Sequence, residues 1–360
     1  MYNSAINSII LPTSILIAAA FILSFLITFI GIPSVIKIAR EKNLYDIPGK
    51  LTSHAEPTPR LGGSMIFAGV ILSSVLFTSS SKASELKYII AGLLVLFFIG
   101  LKDDIITLAP IKKASGQLIA SLIIIILGGI RISFNNAIFG IPGLSYLSSV
   151  LVTLILIMTL INSLNFIDGI DGLAAGVGII ASVTFGIWFI LNDQISMAVK
   201  CFSLTGSLIA FFWYNVFSKK FKIFLGDTGA MVTGFLLAIF LIRYLELNFH
   251  GPVIRTTPVA PSVALAILIV PVFDVFRIVL IRIMNRKSPF YGDHNHIHHK
   301  VLKLSGSHIK ATTVILLVNI LLIIGTLLLK SLGNTILIPF LLLICLTLST
   351  LIFILIKNGT

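Results

Sequence analysis

Long runs of apolar residues, separated by short polar segments, dominate the chain. Most runs reach the ~17–25 residues that a helix needs to cross a bilayer, and none alternates in the manner of a membrane β-strand. The pattern therefore predicts an all-α, polytopic integral membrane protein with about eleven transmembrane helices. The predicted spans are, roughly, 9–38, 62–80, 86–101, 114–130, 144–161, 173–191, 198–217, 229–245, 258–280, 312–330 and 335–356.

Basic residues lie mostly on one side of these spans, and this asymmetry predicts the orientation. If the N-terminus is outside, most of the 26 lysines and arginines fall in one alternate set of loops and helix ends. Cytoplasmic loops carry such an excess, so we expect an outside N-terminus and a cytoplasmic C-terminus. We expect the whole chain, residues 1–360, to form a single transmembrane domain.

Composition agrees with this class, because 57% of the residues are hydrophobic and only 11% are charged. An ordinary soluble domain has about a quarter of its residues charged. The formal net charge of +13 suits either anionic lipid headgroups or an anionic substrate, and composition does not separate the two. Cys201 and Cys345 both lie in apolar runs, which indicates buried thiols and not a disulfide.

Carboxylates are scarce, and most of the 13 fall near predicted cytoplasmic helix ends. Acidic residues contribute little to topology, so the orientation of the helices does not require this bias. The bias predicts a site assembled from the cytoplasmic loops 40–61, 102–113, 162–172, 218–228 and 281–311.

Two short acidic motifs stand at the ends of predicted spans. In "GLKDDI", Asp103 and Asp104 are either a solvated helix end or a pair that shares a cation, since adjacent carboxylates repel. In "FLGDTGAM", Asp227 precedes the eighth span and is either its N-cap or a Mg²⁺ ligand that shares the ion with substrate phosphates. The local sequence does not separate the two interpretations of Asp227.

The loop "NSLNFIDGIDGLAAG" is the most informative of the polar segments. Asn162, Asn165, Asp168 and Asp171 recur at every third position, so neighbours in the series would share one face of a helix. No lysine or arginine lies in this loop, and uncompensated acids beside a bilayer are costly to keep. An N-cap would account for one of the four residues, so the motif predicts a ligand site.

The segment "FYGDHNHIHHK" gathers His294, His296, His298 and His299. Two hypotheses account for the cluster: a metal site for ion transport, and a binding site for a phosphorylated substrate. The segment lacks the cysteine partners and the spacing of a zinc site, and the spans are nearly free of the ionisable residues that a transport path needs. Phosphate binding is therefore favoured, and a metal-ion transporter with a cytoplasmic histidine cluster is the alternative.

The stretch "PVFDVFRIVLIRIMNRK" has two further features. Asp274 and Arg277 stand three residues apart, which indicates an ion pair near a helix end. Pro271 predicts a break in the helix, after which the basic residues would lie along the membrane interface.

Six motifs together resemble the polyprenyl-phosphate N-acetylhexosamine-1-phosphate transferase family, which includes the phospho-N-acetylmuramoyl-pentapeptide transferase. In order they are "PTPRLGG", "GLKDDI", "NSLNFIDGIDGLAAG", "FLGDTGA", "PVFDVFR" and "DHNHIHHK", and they cover nearly the whole chain. The resemblance implies that undecaprenyl phosphate attacks the sugar-bound phosphorus of a UDP-N-acetylhexosamine and that UMP leaves. It also implies a multi-pass protein among the lipids of the bacterial cytoplasmic (inner) membrane, with a cytoplasmic active site and no nucleic acid partner.

The resemblance implies roles for single residues. Asp227 matches a Mg²⁺ ligand, with Mn²⁺ as a substitute, and Asp103 and Asp104 match an acidic pair that positions or deprotonates the lipid phosphate or helps to hold the metal. Phe224 matches an aromatic residue that stacks on uracil, and Lys112 matches as well as Lys113. The positions that match substrate-binding residues are Arg60, Lys113, Asn165, Asp168, Asp171, Asn215, Phe224, His296, His298 and His299.

Two motifs indicate a branch of that family. "HNHIHHK" and Arg60 in "PTPRLGG" depart from the muramoyl branch and resemble the branch that uses UDP-N-acetylglucosamine or related sugars. We therefore expect transfer of N-acetylglucosamine-1-phosphate in the first step of a surface polysaccharide. The muramoyl branch forms dimers, so a homodimer is a further expectation.

Overall fold

The computed structural model describes residues 12–45, 57–78, 83–133, 143–251, 253–286 and 296–358. Within these ranges the chain forms α-helices joined by short loops. They are α1 (Thr13–Glu41), α2 (Gly62–Phe77), α3 (Ala83–Ile105), α4 (Pro110–Leu122), α5 (Tyr146–Ile167), α6 (Leu173–Leu191), α7 (Ile195–Phe212), α8 (Gly226–His250), α9 (Ala260–Met284), α10 (Ile297–Ser305), α11 (His308–Leu328) and α12 (Asn334–Asn358). The π-helical turns Ile123–Leu127 and Trp213–Phe217 extend α4 and α7, and a 3₁₀ turn, Lys330–Leu332, precedes α12.

Ten helices in the described ranges are long and apolar enough to cross a membrane. The helix α2 is apolar but has only 16 residues. The all-helical, multi-pass class is therefore confirmed, since every predicted span coincides with an apolar helix. The exact number of eleven and the orientation of the termini stay predictions.

Several helices continue into segments that were predicted as loops. α3 extends past Asp103 and Asp104 to Ile105, and α5 extends to Ile167. The break predicted at Pro271 is wrong, because α9 continues without interruption to Met284. The helices α5, α11 and α12 pack against α9, and such packing lets a membrane helix tolerate the hydrogen bond that proline removes.

The helix α8 is the most buried of the spans and packs against α2, α3, α5 and α6. Glycines permit the closest of these contacts, since small residues let helix backbones approach in a membrane. A Cβ on Gly63 of α2 would lie 2.0 Å from the backbone nitrogen of Gly229, and a Cβ on Gly100 of α3 would lie 2.5 Å from the Cα of Thr228. The packing thus places the start of α2 and the end of α3 around the first turn of α8.

Candidate active site

The first turn of α8 is capped by a carboxylate from another helix. The backbone N–H of Asp227 donates to Asp104 Oδ1 at 2.7 Å, and that of Thr228 donates to Asp104 Oδ2 at 3.1 Å. The Thr228 hydroxyl donates to the same Oδ2 at 2.6 Å. Backbone N–H groups at a helix N-terminus lack partners within the helix, and the positive end of the helix dipole favours an anion there. Asp104 therefore supplies the cap.

This arrangement tests one of the two interpretations of Asp227, and its role as a Mg²⁺ ligand stays a prediction. The N-cap interpretation is wrong, because α8 begins at Gly226 after Leu225, and the side chain of Leu225 forms no capping hydrogen bond. Asp227 lies one residue inside the helix, so its carboxylate is available for other contacts. The positive φ of +72° at Gly226, where a Cβ would lie 2.0 Å from the carbonyl oxygen of Arg60, accounts for the glycine before it.

A lysine joins two of the predicted acids. Lys113 Nζ lies 2.5 Å from Asp103 Oδ2 and 2.7 Å from Asp227 Oδ1. The other oxygen of Asp103 accepts the backbone N–H of Leu108 at 2.6 Å, which fixes the carboxylate against the loop between α3 and α4. Lys112 is exposed, so the structure places Lys113, and not Lys112, between the acids.

The series of amides and acids at the end of α5 separates into two groups. Asn165 Nδ2 donates to Asp227 Oδ1 at 2.9 Å. Asn162 instead pairs with Gln117 of α4, to whose Oε1 its Nδ2 donates at 2.8 Å. Because α5 ends at Ile167, Asp168 and Asp171 lie beyond the helix. The prediction that neighbours in the series share a helical face is therefore wrong for Asp168 and Asp171, which lie outside the helix.

Asp168 lies close to three other carboxylates of the site. Burial and the neighbouring Asp227, Asp171 and Asp104 carboxylates raise the pKa of Asp168 well above its usual value, although Arg60 acts in the opposite direction. Like charges held this close disfavour ionisation. A cation bound among these groups would relieve that repulsion.

Asp171 is held by residues that sequence reasoning did not select. Lys222 Nζ lies 2.7 Å from Asp171 Oδ2, and the backbone N–H of Asp171 donates to His308 Nδ1 at 3.1 Å. Thr312 of α11 donates its hydroxyl to the carbonyl oxygen of Asp171 at 2.7 Å. Lys222 could have been found from its position two residues before Phe224, whereas no local pattern distinguishes His308.

The segment before α2 runs beside the segment before α8. The backbone N–H of Phe224 donates to the Pro59 carbonyl at 2.8 Å, and that of Gly62 donates to the Phe224 carbonyl at 3.0 Å. The Lys222 ammonium lies 5.9 Å from the centre of the Phe224 ring. These contacts bring Arg60, Phe224 and Lys222 to the same end of the bundle as Asp227.

Asn215 lies behind these loops. It is 5% exposed and uses both ends of its amide, since Oδ1 accepts the backbone N–H of Gly172 at 2.6 Å and Nδ2 donates to the Ile223 carbonyl at 2.9 Å. The structure therefore places Asn215 as a bridge between the loop before α6 and the segment before α8. Its predicted contact with substrate stays a prediction.

The histidine motif packs against α9 through Asp274. His296 Nδ1 lies 2.9 Å from Asp274 Oδ2, and the backbone N–H of Ile297 donates to Asp274 Oδ1 at 2.9 Å. Arg277 lies 3.7 Å from Oδ1, so the expected ion pair is present. It is not the main contact of Asp274, which instead orients the start of α10. His294 lies outside the described residues.

The other two histidines reach the loop that carries Asp168 and Asp171. A Cβ on Gly169 would lie 2.6 Å from His298 Nε2 and 3.2 Å from His299 Nε2. Burial lowers the pKa of His298, although Asp274 opposes this shift. The glycine between the two acids is thus required for the approach of the imidazoles.

The donor set fits a hard divalent cation surrounded by groups that bind an anion. Asp227, Asp168 and the Asn165 amide offer the oxygen ligands that Mg²⁺ prefers. Lys113 and Lys222 stand beside these acids, and ammonium groups bind phosphate oxygens. An arrangement of this kind suits a metal-bound phosphate ester in which a phosphorus–oxygen bond is exchanged.

Known proteins similar to this chain are described as sugar-phosphate transferases. The profile of glycosyl transferase family 4 matches residues 86–245, which span α3 to most of α8. An undecaprenyl-phosphate alpha-N-acetylglucosaminyl 1-phosphate transferase of Pasteurella multocida is 33% identical over 291 residues, which is 78% of this chain and 79% of that protein.

Two further relatives extend the match. A protein of the same description from Haemophilus influenzae is 30% identical over 78% of this chain and 79% of its own length. A probable undecaprenyl-phosphate N-acetylglucosaminyl 1-phosphate transferase of Bacillus subtilis is 29% identical over 88% of this chain and 85% of its own length. The relatives from Pasteurella multocida and Haemophilus influenzae are at least 30% identical over more than two thirds of both chains, and the chain therefore belongs to glycosyl transferase family 4 as a multi-pass membrane transferase.

Proposed function

We propose that the protein transfers N-acetylglucosamine-1-phosphate from UDP-N-acetylglucosamine to undecaprenyl phosphate and releases UMP. The observation that carries this proposal is the position of Asp227, which lies in the first turn of α8 and is contacted by Lys113 and Asn165. The descriptions of the relatives name the N-acetylglucosaminyl 1-phosphate group and the undecaprenyl phosphate acceptor, and the resemblance of the motifs supplies UDP as the carrier of the donor sugar. The product would be the lipid-diphospho-sugar that begins a surface polysaccharide.

The acidic residues are assigned to a Mg²⁺ ion. Asp227 and Asp168 would hold it, and Asn165, whose Nδ2 donates to Asp227 in the structure, would turn its amide so that the carbonyl oxygen faces the ion. A bound Mg²⁺ would supply positive charge that neutralises the charge developing on the phosphate during transfer. The capping carboxylate of Asp104 faces the backbone of α8, so in this proposal it supports the metal-binding turn.

The basic residues are assigned to the phosphates. Lys113 would give up part of its contact with Asp103 and Asp227 and bind the phosphate that is transferred. Lys222 would contact the nucleotide phosphate. Phe224 would stack on uracil, with Lys222 5.9 Å from the ring centre. His298 and His299, which reach Gly169, would donate to the diphosphate.

The lipid phosphate needs little activation. A phosphate monoester is largely ionised near neutral pH, because its second pKa is about 6. Asp103, which the Leu108 N–H and Lys113 hold in place, would orient the nucleophile rather than remove a proton from it. The apolar helices around the site would let the lipid chain remain in the bilayer while its phosphate reaches the cytoplasmic surface.

The test is UMP release by detergent-purified protein supplied with undecaprenyl phosphate and Mg²⁺, with several UDP-sugars offered one at a time. Release with UDP-N-acetylglucosamine, abolished by omission of lipid or Mg²⁺ and by Asp227→Asn, is the expected result. Release with another sugar alone would correct the donor. No release with any donor, together with metal flux into vesicles, would support the metal-ion transporter instead.

A further inference from the structure

The structure brings two histidines and an aspartate together inside the protein, where the start of α10 packs against α9. Asp274 of α9 is 3% exposed, and His296 and His298 at the start of α10 are 5% and 2% exposed. One ligand atom from each lies within 4.8 Å of the other two. We propose that these three residues form a second metal site, which takes a divalent transition metal of the zinc class.

The two oxygens of Asp274 have different partners. Oδ1 accepts the backbone N–H of Ile297 at 2.9 Å and lies 3.7 Å from Arg277. Oδ2 faces both imidazoles, with His296 Nδ1 at 2.9 Å and His298 Nδ1 at 3.4 Å. Carboxylates that bind metals commonly show the same arrangement. Hydrogen-bond donors of the protein fix one oxygen, and the other oxygen points to the metal.

The main argument for a bound metal is the environment of the buried His298 imidazole. Within the described part of the chain, Nε2 has no hydrogen-bond partner and Nδ1 has only the long 3.4 Å contact with Asp274 Oδ2, although the side chain is 2% exposed. A buried polar atom without a partner is unfavourable, because it has lost its hydrogen bonds to water. A metal ion bound to Nδ1, next to Asp274, would satisfy one nitrogen and fix the other as an N–H donor.

The ligand chemistry selects the class of metal. Two imidazoles and one carboxylate are a usual set for zinc and for related borderline ions, whereas Mg²⁺ prefers oxygen alone. A cavity of about 220 Å³ borders both Asp274 and His298 and is otherwise lined mostly by apolar side chains, so a fourth ligand has space but would have to bind to the metal itself. The site is therefore chemically distinct from the oxygen-rich group at Asp227.

A metal here would join α10 to α9 through side chains that the sequence separates by 22 residues. It would bind Nδ1 of His298 and so leave Nε2 directed at Gly169, where an added Cβ would lie only 2.6 Å from that nitrogen. The ion would thus hold the histidine motif against the loop that carries Asp168 and Asp171. This inference concerns metal content, and its test does not depend on the transferase reaction.

The experiment measures metal bound by the full-length protein, purified in detergent with an affinity tag that contains no histidine. Chelator-treated protein is loaded with Zn²⁺ or Co²⁺ in the presence of excess Mg²⁺, and metal content and the visible absorption of bound Co²⁺ are recorded. We expect one transition-metal ion per chain in the unchanged protein and in His250→Gln, which removes an exposed imidazole. We expect Asp274→Asn to weaken binding by at least about 100-fold, because even partners outside the ligand shell contribute about 10–100-fold.

A second variant, in which one metal-binding side chain replaces another, keeps the test decisive if Asp274→Asn does not fold. His298→Cys substitutes a thiolate, which is itself a zinc ligand, so the variant should keep the metal and add a sulfur-to-cobalt absorption band. Loss of tight binding in Asp274→Asn, or that new band in His298→Cys, supports the site. Unchanged protein that binds no more Zn²⁺ than Asp274→Asn, or a Co²⁺ spectrum that His298→Cys leaves unaltered, would overturn it.

Discussion

The backbone N–H of Asp227 donates to the carboxylate of Asp104 across 2.7 Å, although the two residues are 123 positions apart. This bond ties the end of α3 to the start of α8 and leaves the Asp227 side chain for other partners. Two aspartates that look equivalent in sequence therefore have different tasks, one in the fold and one in the proposed metal site.

Replacement of Asp104 by alanine should reduce stability as well as activity. The variant loses three hydrogen bonds to the first turn of α8, and a lost cap costs about 0.5–2 kcal/mol. We expect Asp104→Ala to lower the Tm in detergent, measured by the loss of a monodisperse chromatographic peak on heating. Asp227→Asn should abolish UMP release without lowering the Tm, and an equal Tm loss in both variants would contradict the division of tasks.

Lys113 and its neighbour Lys112 should differ in their importance for catalysis. Lys113 contacts Asp103 and Asp227, whereas Lys112 is exposed. Removal of one preorganised charge that stabilises a transition state costs about 10²–10³ in kcat. We expect Lys113→Met to lose UMP release by that factor and Lys112→Met to stay near the unchanged enzyme. Similar rates for the two variants would remove Lys113 from the proposed mechanism.

Lys222 should act mainly in donor binding. It lies 2.7 Å from Asp171 and faces the Phe224 ring. A charge-assisted hydrogen bond is worth about 1.5–3 kcal/mol, so Lys222→Met should raise the KM for the UDP-sugar by about 10–100-fold with a smaller change in kcat. Steady-state kinetics at saturating lipid measure both constants, and the exposed Lys219→Met is the matched control. A KM equal to that of the control would refute the assignment.

Gly63 should be required for the packing of α2 on α8. A Cβ at this position would meet the backbone nitrogen of Gly229 at 2.0 Å, whereas a Cβ at Gly325 of α11 would meet nothing within 4 Å. Gly63→Ala must therefore displace a backbone and should lower both the Tm and the UMP release. Gly325→Ala gains the higher helix propensity of alanine, worth up to about 1 kcal/mol, and should leave the Tm equal or raised. A stable, active Gly63→Ala variant would show that the contact can relax.

The sequence by itself determined the membrane-helix class and the polar segments that hold the site. Spans are a local property, because a helix in lipid must satisfy its own backbone over a continuous apolar run. The sequence also showed that Asp103, Asp168 and Asp227 lie near helix ends, because ionisable residues are rare inside the spans and therefore stand out beside them.

Only the tertiary structure decided what each polar residue contacts. The cap formed by Asp104, the pairing of Asn162 with Gln117 and the contact of Asp274 with His296 all join distant helices. Such contacts depend on which backbones approach each other, as α2 and α8 do at Gly63, and helix packing is not encoded in the local spacing of polar residues. Periodicity placed Asn162 and Asn165 on one face, but the packing of α4 and α8 against α5 gave the two amides different partners.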